Sequence, residues 1–545
     1  MDTLVIGIDG GEWSVIEPLI ADGSLPNLSE LINSGVHGDL ESITPPVSPP
    51  AWNSIQTGTN PGKHGIFDFT TFGSDYGRRS VNASDRRTVP FWRVMNDNGV
   101  DTGLFKIPFA YPPGDVEGFL VSGFPTPETV DDYTTPKELS DTIGSPARLF
   151  EDWNYQDRGQ YERFKNNLVS VAERQSRILQ DLLDDHDPNF LMTVYDGSDR
   201  VQHFFWKYVD ETHPRYEHDP ALSDAFEEYY EAVDRGIGQL LDRAGPETNV
   251  IVLSDHGFGP LTDDIFIEEW LENSGFLARE DPESANERVR QTIATVVSSA
   301  WDVARRLNLD SQVRSIIPSS WFQRGSELQD ESKRAIEWDE TEVFFSTVSG
   351  QSLFINLEGR FDQGTVSRSK YDAVVEEVSS SLRNMTHPDT GERLVRDIVR
   401  TDEAFEGDAV AEGPDLIVET LPEYTLKGGR SETLVAPSMQ NANDRSGDHR
   451  RNGIIIASGP AFTTGNVDSA SVLDIAPTLL YLCRCPVPGT IDGDVLTEIF
   501  TDEARANREI TRTEEYQQDS TAGRRWNKQE EAELEERLSS MGYMD

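Results

Sequence analysis

The chain is short of lysine, of cysteine and of long apolar stretches, and each shortage excludes something. Nine of its 48 basic residues are Lys, set against 97 Asp and Glu, and the formal net charge is −49 over 545 residues. No basic patch is available, so neither nucleic acid nor an anionic membrane is expected as a partner. An acidic surface whose positive charge is mostly Arg suits very high salt, where like charges are screened beyond about 3 Å. A halophilic source is the expectation. The two cysteines, Cys483 and Cys485, lie in YLCRCPVP. A C-x-C pair does not easily close a relaxed disulfide, and a soft metal site needs more thiolates, so two reduced thiols near the core are expected. No stretch reaches the roughly 18 apolar residues that span a bilayer. The opening MDTLVIGIDGG lacks the basic and long apolar regions of a signal peptide. These features predict a soluble, cytoplasmic chain with no membrane partner. Hydrophobic residues make up 36%, a low share. Apolar runs and aromatics nevertheless recur along nearly the whole length, which argues for a folded core and against disorder.

Short apolar runs end in polar or Gly-rich turns at Leu4–Ile8, Phe190–Val194, Asn249–Leu253 and Gly453–Ala457. Such runs read as buried parallel strands. Phe164–Asp185 and Leu222–Leu241 read as amphipathic helices between them. Strand–helix alternation predicts an α/β fold: a central, mostly parallel sheet flanked by helices, with ligands beyond the carboxyl ends of the strands. The catalytic core is expected over 1–277 and 431–502. A polar, Ser- and Arg-rich helical cap or insertion is expected over 278–340, and a smaller mixed α/β subdomain over 341–430, with strands at Glu342–Thr347, Gln351–Leu357 and Asp415–Glu419 and a helix at Lys370–Leu382. From 503 to 545 the sequence is a polar tail. Leu534, Leu538 and Met541 recur there at helical spacing and predict one short docking helix, with Gly542 as its terminator.

The strand ends carry the chemistry. Asp9 follows the first run; YDGSDRVQH, with Asp196, Asp199 and His203, follows the second; SDHG, with Asp255 and His256, follows the third. SGDHRRN, with Asp448 and His449, precedes the fourth. One Asp after a strand is usually a helix N-cap, but four coincident deliveries of Asp with His suit Zn²⁺, Mn²⁺ or similar ions. The D-x-x-x-H spacing of Asp199 and His203 puts both on one helical face. Five or six such ligands exceed one tetrahedral ion, so two are expected. The nucleophile candidate is Ser48 in PPVSPPAWNSIQTGTNPGKHG, between prolines and just before a helix beginning near Ala51. A serine needs activation to attack, no G-x-S-x-G elbow surrounds it, and metal activation is the consistent choice.

These stretches resemble the alkaline phosphatase superfamily in its type I phosphodiesterase/nucleotide pyrophosphatase branch, and within it the phosphohydrolase/phosphomutase-like group. The likeness rests on VIGIDGG, PPVSPPAW with TGTNPGKHGIFDF, YDGSDRVQHFFW, LSDHGFGP and SGDHRRNGIIIASGP, with FINLEGR, HPDTGE and GPDLIVE adding to it. It runs from the first residues to about Thr497. The resemblance implies one divalent ion held by Asp9, Ser48, Asp255 and His256, and another held by Asp199, His203 and His449, with Zn²⁺ the usual metal and Mn²⁺ the alternative. It also implies in-line attack by Ser48 on a small phosphate mono- or diester, giving a phosphoserine that water hydrolyses.

The sequence departs from that pattern in two places. Nucleotide pyrophosphatases commonly carry an Asn after the H-G-I motif, where Phe69 stands here, so phosphate contact is sought from Asn53, Lys106 and the Ala51 N–H. Ser48-Pro49-Pro50-Ala51-Trp52 also resembles the sulfatase motif, but Trp52 replaces its Arg. The expected activity is therefore metal-dependent phosphohydrolysis. Phosphotransfer or mutase chemistry at the same site, a sulfatase, and a non-catalytic metal- or phosphate-binding protein are the alternatives. The aromatics of His203-Phe204-Phe205-Trp206 are expected in the core, His64 as a structural hydrogen-bonder, and Asp196 and Asp448 as supporting groups.

Overall fold

The computed structural model describes residues 1–151, 160–279, 336–345, 348–429, 431, 433–438, 445–514, 516 and 524–541. Its centre is a nine-stranded sheet. In spatial order the strands are Gly465–Asn466, Val36–Glu41, Asn452–Ser458, Asn249–Leu253, Thr3–Ile8, Phe190–Tyr195, Thr102–Ile107, Gly118–Ser122 and Thr134–Thr135. Five consecutive strands, from Asn249–Leu253 to Gly118–Ser122, run parallel. The helices Tyr161–Asp185 and Ala225–Ala244 pack against one another beside this sheet.

Thr3–Ile8 is buried along its whole length. A strand covered on both faces has no polar face to show, which is why its sequence is a continuous apolar run. The same run at Asn452–Ser458 predicts a parallel strand, and the structure corrects this. That strand is antiparallel to both of its neighbours, Val36–Glu41 and Asn249–Leu253. Burial on both faces fixes composition; strand direction is set by the connection, which composition does not report.

A second apolar cluster lies beside the main one. It joins a four-stranded antiparallel sheet (Val343–Phe345, Ser352–Ile355, Leu416–Thr420, Val395–Arg400) to the helix Tyr371–Arg383, and reaches back to Ile265, Ile267 and Leu271. Asp68 holds the turn that precedes Ser352–Ile355: its carboxylate accepts from the Val348 and Ser349 N–H groups at 2.9 and 3.2 Å. Of the expected 278–340 cap, residues 280–335 lie outside the described residues.

The C-terminal segment carries a helix, Lys528–Ser540, capped by Asn527 in a reciprocal pair with Glu530. Leu534, Leu538 and Met541 are buried, as their spacing predicts, while Gly542 lies outside the described residues. Trp526 stacks on Tyr111 at 5.2 Å between ring centroids and 7° between planes. Glu533 accepts from Thr129 at 2.9 Å, and the Ser80 N–H reaches Glu531 at 3.3 Å. Among the described residues no helix is long and apolar enough to cross a membrane.

Candidate metal centre

The strand ends deliver their acids and imidazoles to one place. Asp9, Asp255 and His256 form one group, and Asp199, His203 and His449 form a second. Within each, one ligand atom per residue lies within 4.8 Å of the others, and all six residues are buried. The groups adjoin, with the His256 and His449 ring centroids 4.1 Å apart. Ser48 faces the first group, its Oγ 3.2 Å from His256 Nε2.

Local structure explains each placement. Asp9 ends the Thr3–Ile8 strand, and the chain then turns at Gly10, whose φ of +66° suits glycine. A Cβ there would also meet Phe258 at 2.9 Å. Gly10 N–H donates to Asp255 Oδ1 at 3.2 Å, while Gln202 donates to the Gly10 carbonyl at 2.8 Å and Ser198 to the Asp9 carbonyl at 2.6 Å. The helix Gly197–Val209 is thereby pinned to the first strand end. It presents Asp199 and His203 one turn apart, and its Phe204, Phe205 and Trp206 are core, as expected. His449 comes from the strand Gly447–Arg450, paired antiparallel with Gly257–Pro260 directly after His256.

His256 Nδ1–H donates to the Gly257 carbonyl at 3.1 Å, leaving its Nε2 as a candidate ligand atom. His203 Nδ1 lies between the Gly447 carbonyl, at 2.8 Å, and the Arg445 guanidinium, at 2.9 Å. His203 Nε2 and His449 Nε2 lie 3.2 Å apart, with Asp199 Oδ1 at 3.4 and 3.0 Å. In the first group, Asp9 Oδ1 and Asp255 Oδ2 are buried and accept no hydrogen bond among the described residues. Buried carboxylate oxygens without partners are costly. Here both face His256 Nε2, at 3.7 and 3.3 Å. A divalent cation among these atoms would satisfy both, so the residues present fit the implied ions.

The electrostatics agree. Burial, with Asp255 and Asp199 nearby, drives the Asp9 carboxyl well above its ordinary value, and burial above all pushes Asp255 up to about 7. Burial lowers His203 to about 4, helped by the Arg445 guanidinium, and lowers His256 to about 4. It lowers His449 as well, with His256 adding to the effect. The imidazoles are therefore neutral, the form that binds metal. Burial would raise Asp199, but the Arg200 guanidinium against its Oδ2 holds it well below the usual carboxylate range.

The proposed substrate contacts fare differently. Lys106 is fully buried, 2.5 Å from Asp196 and 3.2 Å from Gln175. The Asn53 amide donates to the Pro49 carbonyl at 2.8 Å, and its oxygen accepts from Arg86 at 3.3 Å. The Ala51 N–H donates to the Val47 carbonyl at 3.1 Å. The helix starts at Ser48, with Val47 as its N-cap and Pro49 and Pro50 in its first turn. Its N-terminus therefore offers a favourable field but few N–H donors. His64 is structural, bonded to Ser54 at 3.1 Å and to the Ile66 N–H at 3.1 Å. Phe69 packs against Phe109 and Phe124.

Three functional neighbours escaped the sequence reading. Trp52 marks a missing Arg in sequence, yet its indole N–H donates to Asp9 Oδ2 at 3.0 Å and so aims Oδ1 at the first group. The approach is open because the strand residue behind it is Gly7, whose Cβ would lie 2.7 Å from the Trp52 ring. Arg200 is bonded to Asp199 Oδ2. Arg445 lies against His203, 2.9 Å from Nδ1, and bonds Asp448 at 2.7 Å. Their position beside ligands, Asp199-Arg200 above all, is the only sequence signal they carried.

No curated protein sequence matches the chain. Among solved structures, phosphonoacetate hydrolase from Sinorhizobium meliloti is similar in fold at 15% identity, with TM-score 0.51 over 89% of this chain and 95% of that one. Murine ectonucleotide pyrophosphatase/phosphodiesterase 5 gives TM-score 0.47 at 14% identity over 92% of this chain and 100% of that one, and the human protein gives 0.47 at 13%. The profile of type I phosphodiesterases and nucleotide pyrophosphatases matches residues 3–451, a span that takes in Ser48 and all six grouped acids and imidazoles. The chain belongs to the type I phosphodiesterase/nucleotide pyrophosphatase family, whose members are hydrolases of phosphate esters.

Proposed function

We propose that the protein hydrolyses a phosphate mono- or diester through a phosphoserine on Ser48, with two divalent ions, Zn²⁺ or Mn²⁺, held by the two groups. The observation that carries this reading is the placement of Ser48 Oγ beside a group in which two buried carboxylate oxygens have no hydrogen-bond partner among the described residues. Ions bound there would draw charge from the attacking and leaving oxygens. The chain's own residues do the rest. The Ser48 hydroxyl is aimed at His256 Nε2, which is unprotonated at neutral pH. Trp52 orients Asp9, and the Gly447 carbonyl and Arg445 guanidinium hold the His203 ring. Arg445 brings positive charge to the rim of the second group, where the helix start supplies little. A side-by-side assay of model phosphomonoester, phosphodiester and sulfate-ester substrates at high salt, with Zn²⁺ and with Mn²⁺, tests the reading. Turnover of a phosphate ester is expected; preference for the sulfate ester, or turnover of none, overturns it. Product analysis with an added alcohol separates hydrolysis from phosphotransfer.

The raised carboxyls predict a pH dependence. Asp255 is raised from 3.8 to about 7, so in the metal-free protein it contributes stability at acid pH that is lost as pH rises through about 7. A metal ion needs the deprotonated form, so its binding opposes that loss. The gain in Tm on adding metal should accordingly grow between pH 5 and pH 8. His256, at about 4, is neutral throughout that window and contributes nothing to the slope. An equal gain at both values would show that Asp255 is not a ligand.

A further inference from the structure

The C-terminal helix does more than cover the core. Arg537 leaves its buried face and donates to the Thr126 carbonyl at 2.8 Å. Its guanidinium carbon lies 5.2 Å from the Phe124 ring centroid and 4.6 Å from that of Phe150. Each ring meets a second cation. Arg200 is 5.4 Å from Phe124, and Lys106 Nζ is 5.4 Å from Phe150. The order of contacts is Arg200, Phe124, Arg537, Phe150, Lys106. The buried Glu151 is within electrostatic reach of all three cations. Both ends of this series grip the segment that carries the second ligand group. Arg200 holds Asp199 Oδ2, and Lys106 holds Asp196, the residue before the helix Gly197–Val209.

With Arg200 on one oxygen, Asp199 is held by that oxygen while the other, Oδ1, faces His203 and His449. Rotation of the carboxylate would spoil that aim. Arg537 lies beyond the family match, which ends at residue 451, so this support comes from a part of the chain that the family pattern does not include.

We propose that Arg537 is a positioning residue for the Asp199–His203–His449 group: delivered by the C-terminal helix, it completes the cation–aromatic series that keeps Arg200 on Asp199. The inference rests on the reading of that group as a metal site. Supporting partners of a metal ligand are worth roughly 10–100-fold in affinity, so loss of Arg537 should weaken the second site by about tenfold while the first stays within about twofold.

The test is calorimetric titration of the chelator-treated full-length chain with Mn²⁺ alone. An Asp255→Asn background isolates the second group and an Asp199→Asn background the first. Arg537→Gln and Phe124→Leu are each expected to weaken binding in the Asp255→Asn background and to leave it unchanged in the Asp199→Asn background. Arg537→Lys, which keeps the cation, should restore it. Circular dichroism checks that each variant is folded; if Arg537→Gln is not, Phe124→Leu decides, since it removes a ring from the series and no hydrogen bond of Arg537. Unchanged second-site affinity in a folded variant, or equal weakening at both sites, overturns the inference. Failure of the unsubstituted chain to bind two ions removes the site reading itself, a result distinguishable from either.

Discussion

Ser48→Ala is expected to abolish the covalent intermediate and to lower turnover by about 10⁴-fold, about 5.5 kcal/mol at roughly 1.4 kcal/mol per decade. The substitution is structurally mild. Ser48 opens its helix at the first position, the N-cap is Val47, and no side-chain cap bond is lost. Its hydroxyl meets His256 Nε2 at 3.2 Å, and alanine leaves that nitrogen free to ligate an ion. The variant should therefore keep its fold and nearly its full metal content. Rapid quenching followed by mass spectrometry of the Ser48 peptide checks the intermediate, with a circular dichroism melt alongside. Undiminished turnover by a metal-loaded Ser48→Ala protein would sink the mechanism.

Removal of metal should be as severe, and it should be reversible. With the ions gone, Asp9 Oδ1 and Asp255 Oδ2 are buried with no hydrogen-bond partner among the described residues, and a bound phosphate beside them would meet carboxyl groups in place of cations. Chelation is expected to reduce turnover to background, and Zn²⁺ or Mn²⁺ to restore it. Asp255→Asn should reproduce much of the loss, because it replaces an anionic ligand with a neutral one in the group facing Ser48. A loss of about 10³-fold is expected, since a bound ion supplies several kcal/mol of charge stabilisation. Metal analysis paired with the activity assay checks this. Full activity at a metal content below one ion per chain would refute the two-ion reading.

The gathering of the acids and imidazoles was legible because they occupy a position that sequence marks well, the polar residue after a buried apolar run. Asp9, Asp255 and His256 lie at such ends, and Asp199 and His203 lie on the helix that follows one. What supports them was less legible. Trp52, Arg200, Arg445 and Arg537 act through contacts across the fold, and Arg537 is 337 positions from Arg200 by the numbering. Lys106 misled for the matching reason. It is a candidate for phosphate contact in place of the missing Asn, but Asp196 captures its ammonium. The direction of Asn452–Ser458 was invisible because a strand covered on both faces has the same composition either way. The Ser48 helix begins three residues before its expected start near Ala51 because prolines are tolerated in a first helical turn.

The sheet order has a consequence for how the protein matures. Of the six grouped residues Asp9 comes first in the chain, and the last, His449, arrives on Gly447–Arg450, whose partner strand Gly257–Pro260 was made long before. Only the Asp9–Asp255–His256 group can assemble while the rest of the chain is still being synthesised. A nascent chain could thus complete the group facing Ser48 first, and the second group only when Gly447–Arg450 pairs with Gly257–Pro260.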